Sequence, residues 1–226
     1  MLNIVYLSKS AVVIYKPHGM PAQPDPSGDT DAMTATATIL RERGENADLW
    51  LINRLDRGVG GLMIFARDKK TAATLSETVR DRQITKEYFA VVSGIPDGDR
   101  MVDFLYKDTR TSKAYIVKAE RKGVKKASLT FKTVATANTE KGALSLVSVS
   151  LDTGRFHQIR AQFSSRGHAI VGDKKYGSPH LLRGGIALVS CHLYVELGDE
   201  KIDVSVTPDT AQYPWSLFAD TDFTGA

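Results

Sequence analysis

Along this chain, short apolar and β-branched runs are separated by polar turns, and long amphipathic stretches are few. Runs at Ile4–Leu7, Val12–Tyr15, Leu49–Ile52, Leu62–Phe65, Tyr88–Val92, Ala114–Val117, Ser128–Thr136, Ala143–Leu151, Ile186–Leu197 and Ile202–Val206 have the length and composition of strands. Several are joined by short turns, which favours antiparallel pairing because parallel neighbours need a long crossover. Helical patterning predicts three helices: Ala32 to about Arg43, stopped by Gly44; Lys69 to about Arg82; and Gln158 to about Arg166, stopped by Gly167. These are too few for a regular βαβ alternation. The pattern therefore predicts an α+β fold, a single domain over residues 1–226 with a large mixed, mainly antiparallel sheet flanked by a few helices and loops. Pro17–Gly28, rich in Pro and Gly, reads as a long surface loop after an opening strand pair, either beside a site or a plain linker.

Composition narrows the partners. With 226 residues, 42% hydrophobic and 25% charged, the chain is long enough to bury a substantial core, and disorder or a collagen-like structure is excluded. No apolar run approaches the roughly 20 residues that span a bilayer, and Met1-Leu2-Asn3 lacks a secretory flank, so the expectation is a soluble cytoplasmic protein. One cysteine, Cys191, and no Cys/His pairs at zinc-ligand spacing predict neither a disulfide nor a metal site. Charge is uneven. Residues 196–226 set seven acids against Lys201, while the remainder carries 29 basic and 19 acidic side chains. A basic body fits a polyanionic partner. Residues 101–141 hold ten basic and four acidic side chains, and Lys122, Lys125 and Lys126 lie at a turn between strands, either a solvated hairpin tip or a phosphate-contacting one.

Three segments have the residue types of a chemical site. In Asn53-Arg54-Leu55-Asp56-Arg57-Gly58-Val59-Gly60-Gly61, a short polar run separates two strands, and Asp56 sits at the turn with flanking arginines that favour an ionised carboxylate. The same residues also suit an ordinary turn. In Thr153-Gly154-Arg155-Phe156-His157-Gln158-Ile159-Arg160, a strand ends and a helix begins, and backbone N–H groups together with Arg155 suit a carboxylate or phosphate. His157 and Arg160 share a helix face. Between them, strand alternation places Lys86, Tyr88 and Ala90 on one face of Thr85–Gly94, with Tyr88 either a core tyrosine or a ring that stacks on a base.

In this order, Arg54-Leu55-Asp56-Arg57, Lys86–Gly94 and Thr153–Arg160, followed by Gly167-His168-Ala169-Ile170-Val171-Gly172-Asp173-Lys174-Lys175-Tyr176-Gly177, resemble the RluA-type RNA pseudouridine synthases. The resemblance implies the pseudouridine synthase fold and isomerisation of specific uridines in ribosomal or transfer RNA, with no cofactor, no metal and no obligatory protein partner. It implies that Asp56 is the catalytic aspartate, Arg155 its ion-pair partner, Tyr88 the ring stacked on the target uracil, and Arg54 the residue that fills the space of the flipped nucleotide. Arg57, His157, Arg160, Lys86, Lys122, Lys125 and Lys126 are the further candidates for RNA contact.

The chain departs from the family pattern at Asn53, where a His is usual, at Val59-Gly60, where hydroxyl side chains are usual, and at Leu188-Val189-Ser190 in place of Leu-His-Ala. The first strand begins almost at Met1, so no separate N-terminal RNA-binding domain is expected. Two other readings stay open: a catalytically silent RNA-binding paralogue, and a carboxylate-dependent hydrolase, for which only Asp48 and Asp68 lie near Asp56 in sequence.

Overall fold

A computed structural model of the chain describes residues 2–223. In chain order the elements are β1 (Asn3–Leu7), β2 (Ala11–Lys16), α1 (Ala32–Glu42), β3 (Trp50–Leu51), β4 (Gly60–Ala66), α2 (Lys69–Arg80), β5 (Thr85–Ser93), β6 (Arg100–Asp108), β7 (Lys113–Val117), β8 (Val124–Thr139), β9 (Gly142–Leu151), α3 (Gln158–Ser164), β10 (Leu188–Leu197) and β11 (Glu200–Ser205). They pack as two compact units, the first running to Lys86 and including Val189–Val206, the second Glu87–Leu188 with residues 207–223.

In the first unit β2 pairs antiparallel with β1 and β4, β10 lies parallel to β4, β11 folds back antiparallel on β10, and β3 caps the end of β4. The parallel β4–β10 pair makes the sheet mixed, as expected. All of β4, Gly60-Gly61-Leu62-Met63-Ile64-Phe65-Ala66, is buried, which is why its sequence shows an apolar run and not an alternation. Leu62 and Ile64 join Ala11 and Val13 of β2, Leu193 and Val195 of β10, Ile202 of β11 and Leu75 of α2 in one core. Asp31 and Asp68 start the two helices by accepting from the Thr34 and Thr71 amides at 3.0 and 2.8 Å, which satisfies N–H groups the helices cannot.

In the second unit the strands run in the order β5-β9-β8-β6-β7, each neighbouring pair antiparallel. Helix α3 lays Ala161 against Leu105, Ala114, Ala127 and Tyr176. Two sequence expectations are corrected here. Strand β6 is absent from the hydropathy pattern because Met101 and Leu105 point into the protein while Val102, Phe104 and Tyr106 occupy the opposite face, so apolar residues fall on both sides and no alternation shows. Helix α3 stops at Ser164 rather than near Arg166, because the Arg166 and Gly167 amides tighten onto Phe163 O and Ser164 O, three residues back. No helix among the described residues is long and apolar enough to cross a membrane.

Candidate active site

Asp56 stands in the turn between β3 and β4, closed by the Val59 amide donating to Asp56 O at 2.9 Å. Asn53 Oδ1 accepts from the Ile64 amide at 2.9 Å, so at this position the side chain fixes the entry to the turn against β4. The far side of the turn is fastened to the 17–29 loop. Gly19 N donates to Arg57 O at 2.8 Å, the His18 ring donates through Nδ1 to Gly58 O at 2.9 Å, and the Arg57 guanidinium donates to Ser27 Oγ at 3.1 Å and pairs with Asp29. The loop is therefore structural support for the Asp56 turn, which resolves the choice left open by its composition. Arg57, expected to contact RNA, pairs with Asp29 in this clamp and is exposed, as is Arg54.

The glycines after Asp56 have specific tasks. A Cβ on Gly60 would lie 2.6 Å from His18 Nε2, and one on Gly61, at φ +111°, would lie 2.2 Å from the Ser190 carbonyl oxygen. Neither position tolerates a side chain without moving its neighbour. The departure from a hydroxyl residue at position 60 thus follows from the imidazole that fills the space.

Beside this turn is a residue that sequence reading missed. Lys16, 0% exposed at the end of β2, donates from Nζ to Pro17 O at 3.0 Å, Met20 O at 2.8 Å and Arg57 O at 3.4 Å. Burial pushes its ammonium down to about 8, with the Asp56 carboxylate opposing that shift and Arg57 adding to it. Its signal was a lysine closing an otherwise apolar strand immediately before Pro17. Burial also lowers His18, with the Gly58 carbonyl acting in the opposite sense, so this imidazole is neutral at pH 7 and its Nδ1 carries the hydrogen that Gly58 O accepts.

Lys16 gives the fold a pH dependence whose direction follows from its burial. Its folded pKa lies below its unfolded value, so holding the buried charge opposes folding by about 3 kcal/mol below pH 8, and this cost is relieved as pH rises from about 8 to 10.5. The same titration removes the cation beside Asp56. An activity that uses this cation should therefore fall, at saturating substrate, on the alkaline side with a midpoint at about 8. A rate profile flat through that range would show that the Lys16 charge is not used.

In the second unit Tyr88 is 7% exposed on β5 and faces Val149 of β9, so most of its ring is packed. Lys86 is half-buried, and burial lowers its pKa. The turn into α3 is built by two buried side chains. Thr153 Oγ1 accepts from the Ser128 amide at 3.0 Å and donates to Gln158 Oε1 at 2.7 Å, the same oxygen accepts from the Arg155 amide at 3.0 Å, and Gln158 Nε2 donates to Ser128 O at 3.0 Å. This network fixes Gly154 and Arg155, and Gln158 was not singled out from sequence. Arg155 donates from Nε to Lys126 O at 3.0 Å, which ties the arginine to the basic strand start that holds exposed Lys125 and Lys126, with exposed Lys122 in the preceding turn.

Two residues of this segment have internal tasks that sequence reading did not assign. His157 has left-handed backbone (φ 52°), stacks on Phe156 with ring centroids 3.8 Å apart, and bonds Tyr176 Oη through Nδ1 at 3.0 Å. Arg160, expected on the RNA surface, is buried, and its guanidinium grips Asp173 with two bonds of 2.6 and 2.9 Å. The physical reason is that a helix seven residues long leaves little exposed face, and Arg160 falls on the side packed against Tyr176, 5.0 Å from its ring centroid. Tyr176 in turn accepts from the Ala114 amide at 2.7 Å. The Gly167–Gly177 segment thus supplies Asp173 and Tyr176 to hold α3 in place.

Comparison with known proteins places this arrangement. Residues 10–165 match the family model described as RNA pseudouridylate synthase. The chain is 33% identical over 176 residues to ribosomal large subunit pseudouridine synthase C of Buchnera aphidicola subsp. Baizongia pistaciae, covering 77% of this chain and 53% of that protein. It is 31% identical over 188 residues to tRNA pseudouridine synthase C of Haemophilus ducreyi, covering 79% and 75% respectively. The chain therefore spans about half the length of the first relative and three quarters of the second. Among solved structures, human RNA pseudouridylate synthase domain containing 1 superimposes with a TM-score of 0.74 at 23% identity, covering 93% of this chain and 84% of that one. At that identity the likeness bears on the fold.

Proposed function

Since the chain belongs to the RNA pseudouridylate synthase family, we propose that it isomerises uridine to pseudouridine in a ribosomal or transfer RNA, as a cytoplasmic enzyme without cofactor, with Asp56 as the catalytic group. The observation that carries this reading is the clamp on the Asp56 turn: His18, Arg57 and Lys16 anchor the backbone around a half-buried carboxylate, an expenditure that an ordinary surface turn does not require.

The reaction breaks the bond from ribose carbon 1′ to ring nitrogen 1 and forms one from the same carbon to ring carbon 5. Carbon 5 gives up its proton, nitrogen 1 gains one, and no atom is lost overall. A carboxylate serves as nucleophile at the sugar or as base at its 2′ position, and each route requires it ionised. Neither redox equivalents nor a Lewis acid is needed. The resemblance to the family would make Arg155 the ion-pair partner of Asp56 and Tyr88 the ring for the uracil, which must leave its stack for the sugar to be reached. Arg54, exposed beside Asp56, fills the gap left in the RNA. Incubating the protein with RNA tritiated at uracil carbon 5 tests the reaction: isomerisation releases tritium to water and leaves RNA mass otherwise unchanged, whereas a hydrolase releases free uracil.

Two further outcomes follow. Arg54→Ala should lower the rate about ten- to a hundredfold on structured RNA, the worth of one stacking contact at roughly 1–3 kcal/mol, with a smaller loss where the target is already unstacked. Equal losses on both substrates would contradict the flipping role. Reversing the charges of Lys122, Lys125 and Lys126 together should weaken RNA binding and flatten its dependence on salt, because fewer counterions are displaced. Unchanged affinity and slope would assign these lysines to solvent.

A further inference from the structure

The strand hidden from the hydropathy pattern, β6, carries an exposed surface with aromatic residues to which no role has been given above. Its register sets Tyr106 opposite Tyr115 of β7 and Val124 of β8, and Phe104 opposite Val117 and Lys126. Directly opposed residues share a sheet face, so Val102, Phe104, Tyr106, Tyr115 and Val117 line one side. The reverse side, with Leu105, Ala114 and Ala127, is the one packed against α3. Val102, Tyr106 and Tyr115 are 47%, 38% and 41% exposed. One exposed apolar residue needs no explanation, but a group of neighbours with two paired tyrosines does.

Cations frame the tyrosines. The Arg121 guanidinium lies 5.8 Å from the Tyr106 ring centroid, and Lys113 Nζ lies 5.4 Å from that of Tyr115 while also reaching Tyr176 at 5.0 Å. Gly123, at φ +83°, folds the basic turn toward Tyr106, since a Cβ there would lie 3.8 Å from Tyr106 Cε2. Asp108, opposite Lys113, accepts from the Arg110 amide. Residues 100–126 hold nine basic and three acidic side chains, a larger surplus than the +4 of the whole chain.

We propose that this face of β6 and β7 is a second RNA-binding surface, on which unpaired bases outside the target nucleotide stack on Tyr106 and Tyr115 while Lys113, Arg121 and Lys126 hold the phosphates. Aromatic rings standing on an open sheet among cations suit single-stranded RNA, because every base has a face to stack and the cations follow the backbone. A second copy of the chain docked face to face would set these cations against one another. The identity of the partner rests on the reading of the chain as an RNA-modifying enzyme.

The test is fluorescence anisotropy with a short labelled oligo(uridine) RNA, using the intact chain, the double variant Tyr106→Ala/Tyr115→Ala and the double variant Tyr106→Phe/Tyr115→Phe. The alanine pair should bind at least about tenfold more weakly, and the phenylalanine pair close to the intact chain, because it keeps the rings. Absence of binding by the intact chain, unchanged binding by the alanine pair, or equal weakening of both pairs overturns the proposal. So does self-association in sedimentation that the alanine pair abolishes, which would give the face to a second copy. Tritium release by the intact chain is read separately. Ring-dependent binding without release would reject the enzymatic reading and leave this surface standing, and release with ring-independent binding would do the reverse.

Discussion

Asp56→Asn protein is expected to fold and bind RNA as the unsubstituted chain does and to form no pseudouridine. The amide has almost the shape of the carboxylate, and the backbone around it is held by bonds that do not involve the Asp56 side chain: Gly19 N to Arg57 O, the His18 ring to Gly58 O and Lys16 to Arg57 O. The substitution therefore removes a charge and leaves the turn in place. An amide neither attacks the sugar as a carboxylate does nor accepts a proton from it, so the loss should be in the chemical step, about a hundred- to ten-thousandfold if Asp56 is a base and more if it is the nucleophile. RNA affinity within twofold of the unsubstituted chain, measured beside the tritium assay, separates this outcome from misfolding. Persistent activity would move the catalytic role away from Asp56. An inactive variant of a wild-type chain that is itself inactive would favour a silent RNA-binding paralogue.

The second large effect is on stability. Arg160→Ala leaves Asp173, 1% exposed, as an uncompensated buried charge, and breaking such a pair costs about 3–5 kcal/mol. For a chain of this length the melting temperature should fall by roughly 10 °C. Arg155→Ala loses one bond to Lys126 O, worth about 1 kcal/mol, so it should melt nearly as the unsubstituted chain does and still react slowly if Arg155 supports Asp56. Calorimetry on both variants, with Arg160→Met/Asp173→Leu as the apolar replacement, distinguishes them. The double variant should recover part of the loss because neither charge is then stranded. A single Arg160→Ala variant that melts unchanged would show that Asp173 finds its compensation elsewhere.

These two arginines illustrate what sequence conveys and what it withholds. The segment Thr153–Arg160 is conspicuous by its residue types, yet its chemistry depends on which cation is buried, and that is set by Asp173 and Tyr176, more than ten residues onward. Lys16 was missed for a similar reason. A lysine at a strand end normally belongs to solvent, and only the chain turning back through Pro17–Met20 and meeting Arg57 O supplies the three carbonyls that hold it inside. By contrast, β4 and β9 were legible because burial on both faces or a long apolar run left an unmistakable pattern, and α1 and α2 because their helical patterning runs unbroken, to Gly44 in the case of α1. Strand β6 was illegible because its outer face bears tyrosine and phenylalanine where a solvated strand would carry polar residues.

The most direct test of the central claim is base-resolution mapping of pseudouridine in total RNA from cells with the gene, without it, and with the gene carrying Asp56→Asn. The account predicts at least one position modified in the first and unmodified in the second and third. Identical pseudouridine maps in all three would contradict it.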